Sequence, residues 1–159
     1  MAVKTIMVKN RHMRRDEGAA AEAGIYPGML IEFAAVTTLT VKKHATSGGN
    51  AIAMFAIEEE LEGKNISTVY TNGRRVQFII CCTGDIVYCR IANGSTTTFG
   101  CLLESNGDGN MKVHTPRVDS SNATGTEYQN SAILYALEVI DMSDSSSVDP
   151  TGFCKAMVI

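Results

Sequence analysis

The chain has 159 residues, of which 45% are hydrophobic and 19% charged. This composition suits one domain with one hydrophobic core and excludes a disordered chain. No apolar run approaches the roughly 20 residues of a membrane-spanning helix, and the first residues lack the apolar stretch of a signal peptide. We therefore expect a soluble protein that is made and kept in a cytoplasm, without a membrane partner.

Charge is distributed unevenly along the chain, whose formal net charge is −3. Residues 1–15 contain five basic and no acidic residues, and the rest contains nine basic residues and all seventeen acidic ones. This asymmetry predicts either an arm that docks on an acidic partner, such as another copy of the chain, or a solvated basic terminus. An apolar patch within the arm could add a strand to a neighbour's sheet edge. The candidate interface residues of the arm are Lys4, Ile6, Val8, Lys9, Arg11, Arg14 and Arg15.

The first half of the chain gives mixed signals. Residues 16–24, rich in Ala and Glu, form a helix candidate or a plain linker. Residues 29–41 are rich in Ile, Phe, Val and Thr and predict two paired strands. Residues 52–63 fit a helix closed by Gly63, or an extended segment that ends in a helical turn. We place an arm at residues 1–24 and a single β-rich domain at residues 25–159.

The second half alternates strand-like runs with Gly-containing turns at a spacing of about ten residues. Asn72 and Gly73 supply the positive φ angles of a tight hairpin turn. Residues 105–110 (SNGDGN) predict another hairpin turn. Residues 115–130 form the longest polar loop, residues 131–141 favour strand, and residues 153–159 predict a final integral strand. The fold class is mainly β: a compact antiparallel barrel or sandwich-like domain with an extended N-terminal arm and little helix.

Candidate catalytic and metal-binding residues do not form a recognised pattern. Five cysteines, mostly within apolar runs, predict free, reduced and mostly buried thiols. Three histidines (His12, His44, His114) could complete a cysteine hydrolase, but none has a suitable local context. Zinc-ligand spacings are absent, and the SNGDGN turn lacks the length and final glutamate of a calcium loop. We predict no catalytic residue, no metal and no cofactor.

Two acidic or basic segments remain to be interpreted. The acidic cluster at residues 58–62 predicts a solvated face or, alternatively, a landing site for the basic arm. Nucleic-acid binding has only the arm in its favour, because the rest of the chain is acidic and no aromatic stacking platform is visible. We therefore predict no nucleic-acid partner.

Several short motifs occur in a characteristic order: RRDEG, IYPGMLIE, HATSGGNA, AIEEELEGK, GDIVYCRIANG, LLESNGDG, ALEVIDMSDSS and FCKAMVI. In this order the chain, from about residue 14 to its end, resembles the decoration (cement, or head-stabilising) proteins of tailed-bacteriophage capsids. The cysteines at positions 81, 82 and 101 depart from the expected Val, Ala or Phe.

The resemblance implies a non-enzymatic protein of the outer capsid surface, present in the host cytoplasm during assembly. Its partners would be the major capsid protein, whose neighbouring subunits it clamps on the expanded shell, and further copies of itself, with a trimer favoured. Two other classes of protein remain open. One is a small β-barrel binding module of a virion accessory or receptor-binding structure, and the other is a small hydrolase with a cysteine nucleophile.

Overall fold

The computed structural model describes residues 5–9, 14–116, 131–144 and 152–159. Strands make up 45% of the structure and helix 3%, which confirms the mainly β prediction. The strands are β1 Met7–Lys9, β2 Arg15–Ala20, β3 Ile31–Ala35, β4 Thr40–Lys43, β5 Met54–Ala56, β6 Arg75–Ile80, β7 Ile86–Arg90, β8 Thr96–Thr97, β9 Leu102–Ser105, β10 Met111–Val113, β11 Ala132–Ala136, β12 Ile140–Asp141 and β13 Phe153–Val158. A short 3₁₀ helix, Glu60–Glu62, follows β5. In the described ranges, no helix has the length and apolar character needed to cross a membrane.

The larger sheet has six strands in the order β1-β7-β13-β11-β9-β10, and its paired strands are antiparallel. Its central strand β13 alternates strictly between buried and half-buried residues. Such alternation has the period of two that is typical of a strand with one covered face. The predicted C-terminal strand is therefore confirmed, with β7 and β11 on its two sides.

The second sheet has five strands in the order β3-β4-β2-β6-β5. Its β2–β4 pair is parallel, while its other pairs are antiparallel. An isolated bridge between Leu30 and Phe55 connects the two ends of this sheet, but the described part of the chain contains no closed barrel. A two-stranded ribbon of β8 and β12 completes the architecture, and the sandwich-like alternative is the one that agrees with the structure.

The core consists of two apolar clusters, one between the two sheets and one on the far face of the five-stranded sheet. The first contains inward residues of both sheets, among them Phe55, Ile79, Leu103 and Leu134, each at most 1% exposed. The second lies on the other face of the five-stranded sheet and includes Phe78, against whose ring Phe33 packs edge-on. Successive residues of β5 and of the end of β6, residues 54–56 and 78–80, point alternately into the two clusters, so this part of the sheet is buried on both faces. This explains why these two segments are continuously apolar.

Two segments of the predicted arm, β1 and β2, are strands of the two sheets. Ile6 is fully buried, and β2 pairs with both β4 and β6. The helix or linker expected at residues 16–24 is wrong, because pairing with two neighbouring strands outweighs the local helix propensity of Ala and Glu. Gly18 favours this arrangement, since a Cβ there would collide with the Leu39 carbonyl oxygen. The strand β2 thus belongs to the five-stranded sheet, and the division of the chain into an arm and a single domain at residue 24 stays a prediction.

The other local predictions were mostly confirmed. Residues 29–41 contain β3 and the first two residues of β4, and these strands form an antiparallel pair. Residues 52–63 contain β5, which is followed by a helical turn that ends at Gly63. The SNGDGN turn joins β9 to β10. The turn at Asn72 and Gly73 is present, but no hairpin surrounds it: Tyr70 pairs with Ile25, and β6 pairs elsewhere. The predicted loop at residues 115–130 lies almost entirely outside the described residues.

Candidate interaction surface

The predicted interface residues of the arm have different environments. Ile6 is buried in the cluster between the sheets and is not available to a partner in this conformation. Val8, Lys9, Arg14 and Arg15 are exposed. Lys4 and Arg11 lie outside the described residues. The interface role of the exposed residues stays a prediction, whereas Ile6 binds within its own chain because a pocket for it lies beside β7.

The acidic cluster at residues 58–62 is divided between burial and solvent. Glu58 and Glu59 are 7% and 5% exposed. Glu58 accepts hydrogen bonds from the Thr5 hydroxyl and the Ile6 N–H, while Glu59 forms an ion pair with Lys64. The cluster therefore does receive the N-terminal segment, but through a hydroxyl and a backbone amide and not through a basic side chain. The solvated-face prediction holds for Glu60 and Glu62.

An apolar row crosses the outer face of the six-stranded sheet. Leu102, Tyr135, Met157 and Ile86 occupy directly opposed positions on four consecutive strands, β9, β11, β13 and β7. Opposed residues of antiparallel strands share a face, with Cβ atoms about 4.5–5.5 Å apart. Their neighbours along each strand are buried, so these side chains point away from the core. We call these four residues the outer row.

A second apolar surface lies at the β8–β12 ribbon. Phe99 and Val139 are 74% and 67% exposed. The loops that carry them are joined by hydrogen bonds from the Thr97 hydroxyl to the Glu138 carbonyl (3.0 Å) and from the Gly100 N–H to the Ala136 carbonyl (2.8 Å). We call Phe99 and Val139 the apolar tip. Contiguous exposed apolar residues mark contact surfaces more often than isolated ones do.

Arg90 is a buried cation that the sequence analysis did not identify. It is 4% exposed, and its guanidinium lies over the rings of Tyr26 and Phe153, at 5.0 and 4.5 Å from their centroids. Its side chain donates hydrogen bonds to the carbonyls of Pro27 and Ile66. Burial lowers the pKa of Arg90 to about 10, so the group stays charged at neutral pH. Arg90 thereby connects β7 to two loops and has a structural role.

The polar cluster that most resembles a catalytic triad has the wrong connectivity. Ser131 and His114 both contact Glu104, which is 2% exposed, at 2.9 and 2.7 Å. A triad serine contacts the imidazole nitrogen opposite the one held by the acid, but here Ser131 and Glu104 both approach Nδ1 of His114. Burial acts to raise the pKa of Glu104, but the hydrogen bonds from His114 and Ser131 outweigh it, so this pKa lies below its ordinary value.

His44 and the buried cysteines are also unsuited to nucleophilic catalysis. Nδ1 and Nε2 of His44 contact the Ser105 hydroxyl and the Asn50 carbonyl, so both ring nitrogens have partners in the core. Burial raises the pKa of Cys81 to about 12 and raises those of Cys89 and Cys154, whereas a nucleophilic thiol needs a lowered pKa. Three of the five cysteines are thus buried, in agreement with the prediction that most of them are. Cys82 is exposed, and Cys101 is half-buried.

Metal binding has no support in the described ranges, where no group of three or more His, Cys, Asp or Glu side chains could hold an ion. In the SNGDGN turn, the Asn110 side chain and N–H donate to the Asp108 carboxylate. Asp108 therefore shapes the hairpin turn. His12, the third histidine of the sequence, lies outside the described residues.

Comparisons with known proteins give one informative result. No family model and no curated protein matches the chain. Among solved structures, the chain is similar to the N base of head fiber gp8.5 of bacteriophage phi29, with a TM-score of 0.56 and 11% identity. The match covers 93% of this chain and 95% of that chain. At this identity the likeness shows a shared fold over nearly the whole of both chains, and function requires a separate argument.

Proposed function

We propose that the chain is a non-enzymatic structural protein of a tailed-phage virion, which binds the outside of the head and clamps neighbouring subunits of the major capsid protein. The observation that carries this proposal is the fold shared with a head fiber base over nearly the full length of both chains. The order of the sequence motifs resembles that of capsid decoration proteins. This resemblance and the shared fold both support a structural protein of the phage head.

The surface of the chain supports a role in binding. Strong protein contacts bury a central apolar patch that is surrounded by polar residues. The outer row and the apolar tip both offer such residues on rigid strands or on loops anchored by hydrogen bonds. By contrast, the described histidines and the buried cysteines are committed to internal contacts. The exposed chemistry therefore suits recognition of a protein surface better than turnover of a substrate.

A pelleting experiment tests the proposal. Expanded heads of the parent phage are first stripped of this protein. The purified chain is then added back, and the bound fraction is measured after sedimentation. We expect saturable binding that the double variant Tyr135→Ser and Met157→Ser (outer row) or Phe99→Ser and Val139→Ser (apolar tip) weakens. The matched control is Leu61→Ser, which removes an apolar side chain that is 92% exposed on the 3₁₀ helix. Absence of saturable binding by the intact chain would refute the proposal.

The fiber base of the structural relative favours a second candidate: the chain could seat a projecting structure on the head without clamping its subunits. The two functions differ in their effect on the shell. A clamp binds the assembled shell more tightly than free subunits and therefore stabilises it by mass action, so stripped heads should regain resistance to heat when the chain is added back. A fiber base should bind equally well and leave the disruption temperature of the heads unchanged.

A further inference from the structure

The N-terminal segment at residues 5–9 occupies a site made by distant parts of the chain. It lies along β7 as the edge strand β1, with Met7 opposite Val87 and Lys9 opposite Ile86. Its polar contacts reach residues 52 or more positions away in sequence. Among the described residues, the contacts of the segment therefore come from parts of the chain that are remote in sequence, as in a peptide-binding groove.

The site has a pocket that fits one side chain. Ile6 is 0% exposed within it. Gly28 lines the pocket at a φ of +87°, and a Cβ at this position would lie 2.9 Å from a ring carbon of Phe153 and 3.2 Å from Cδ1 of Ile6. Glycine is thus required both for the backbone conformation and for the space that the isoleucine fills. One buried anchor of this kind is typical of strand-addition sites that recognise alternate side chains.

Polar groups of the site bind the backbone on both sides of the anchor. The buried carboxylate of Glu58 accepts the Ile6 N–H at 3.1 Å and also the Thr5 hydroxyl. On the other side, the Tyr88 N–H donates to the Ile6 carbonyl at 2.8 Å. A hydrogen bond to a buried charged group is stronger than one between neutral groups. The site therefore binds an extended Thr-Ile dipeptide through four groups: the Thr hydroxyl, the Ile backbone amide, the Ile side chain and the Ile carbonyl.

We propose that this groove is a strand-acceptor site whose partner is the same segment, residues 5–9, of a second copy of the chain. The occupant seen in the site identifies the ligand chemistry that it accepts. In the described structure β1 has three residues and a single neighbouring strand, so few contacts must open to release it. Exchanging it between copies then replaces each contact with an identical one, which makes such an exchange energetically inexpensive. The inference goes beyond the proposed function, since exchange would link copies whether or not a capsid is their partner.

Cross-linking of mixed isotopic copies tests the proposal on the full chain. Copies with light and heavy nitrogen are unfolded, mixed at high concentration, refolded together and treated with an amine cross-linker. Lys9 and Lys155 lie on the two strands that flank β7, and these strands are about 10 Å apart. The residues opposite them, Ile86 and Tyr88, are two positions apart on β7, so both lysines are on one face and within reach of a cross-linker in one acceptor site. We expect light-heavy Lys9–Lys155 products in a dimer or larger species. Exclusively light-light and heavy-heavy products would overturn the proposal.

Two variants separate the site from general association. Ile6→Ser weakens docking of the segment in its own site and in a partner's site alike, so it should lower the yield of every Lys9–Lys155 product, the light-heavy ones included. Val8→Ser changes an exposed residue of the same strand and should leave the product unchanged; equal loss in both variants would overturn the proposal.

If Ile6→Ser does not fold, a labelled peptide of residues 3–10 should exchange into the intact chain more tightly than its Ile6→Ser form. Equal binding of the two peptides would overturn it as well. Head pelleting is a separate readout, so failure of either proposal leaves the other testable.

Discussion

The two ends of the described chain add strands to opposite sides of the same strand, β7, yet they do so in different ways. At the C-terminal end, β13 has six residues and pairs with β7 on one side and β11 on the other. At the N-terminal end, β1 has three residues, an irregular register and β7 as its one neighbour. The first is a central strand, and the second is an edge strand.

This difference follows from how each strand is held. β13 buries Cys154, Ala156 and Val158 in succession, each at most 4% exposed, so its attachment is spread over the whole strand. β1 depends on the buried Ile6, on Met7, which packs partly against the same cluster, and on the hydrogen bonds to the Glu58 carboxylate. A strand that is held at many points is part of the cooperative core, whereas one held at few points can open locally at lower cost. The comparison teaches that an integral strand and a dockable strand can share one neighbour.

The largest effect is expected from removing residues 155–159. The truncated chain loses Ala156 and Val158 from the core, and loss of a buried side chain costs about 2–5 kcal/mol from a total of about 5–15 kcal/mol for a typical domain. We expect no soluble folded protein by circular dichroism and gel filtration. The control Met157→Ala, which changes an outward-facing residue of β13, should fold. A truncated chain that melts normally would show that β13 is dispensable.

Substituting the N-terminal anchor should have a smaller effect. Ile6→Ala removes a fully buried side chain, and we expect the free energy of unfolding in urea to fall by about 2–5 kcal/mol. The sheets should nevertheless form, because β13 and β11 remain paired. Val8→Ala should change stability by less than about 0.5 kcal/mol, as expected for an exposed position. Loss of all structure in Ile6→Ala would place β1 in the cooperative core and remove the distinction between the two ends.

Alkaline pH should weaken the core on which both ends are built. Burial raises the pKa of Tyr70 to about 12 and that of Cys81 to about 12. Both groups are neutral when folded, and the unfolded chain releases their protons near the ordinary values of 9.0 for the thiol and 10.0 for the phenol. The contribution of these two groups to stability should therefore be constant below pH 9 and fall between pH 9 and 12. Tyr70→Phe should flatten the upper part of this decline, measured as the urea midpoint against pH; an unchanged slope would contradict the assignment.

Thiol labelling probes burial near both ends. Cys82 is exposed, Cys101 is half-buried, and Cys81, Cys89 and Cys154 are buried. Under native conditions an alkylating reagent should modify Cys82 first and Cys101 more slowly, and the other three should react only after denaturation. Mass spectrometry of digested samples measures this order. Rapid native labelling of Cys154 would indicate that β13 opens as readily as an edge strand.

Much of the fold could be predicted because its signals are local. The apolar run at residues 153–158 and the Gly-containing turn between β9 and β10 both appear within a few residues of sequence. The strand at Arg15–Ala20 could not be recognised in this way, since its conformation depends on pairing with β4 and β6. Tertiary pairing overrides a local propensity for helix.

The interaction surfaces depend on contacts between distant residues. The pocket of Ile6 combines Gly28, Glu58 and Phe153, and no spacing in the sequence relates these positions. The acidic cluster at residues 58–62 gives one usable signal, because its charge predicts, as one alternative, a landing site for the basic arm. The outer row was not predicted, since it requires the register of four strands.

The smallest effect concerns the exposed basic residues beside the N-terminal strand. Lys9, Arg14 and Arg15 remain candidates for contact with an acidic partner, and exposed ion pairs contribute only about 0–1 kcal/mol each. Changing all three to Ser should therefore leave β1 docked and reduce binding to heads by less than the outer-row or apolar-tip variant does. The loss should be largest at low salt and should appear mainly in the association rate, because long-range attraction is screened by ions. The control Arg75→Ser removes an exposed basic residue that pairs with Glu17. If the triple variant binds as tightly as the intact chain at every salt concentration, the basic residues are solvated, and binding depends on the apolar surfaces alone.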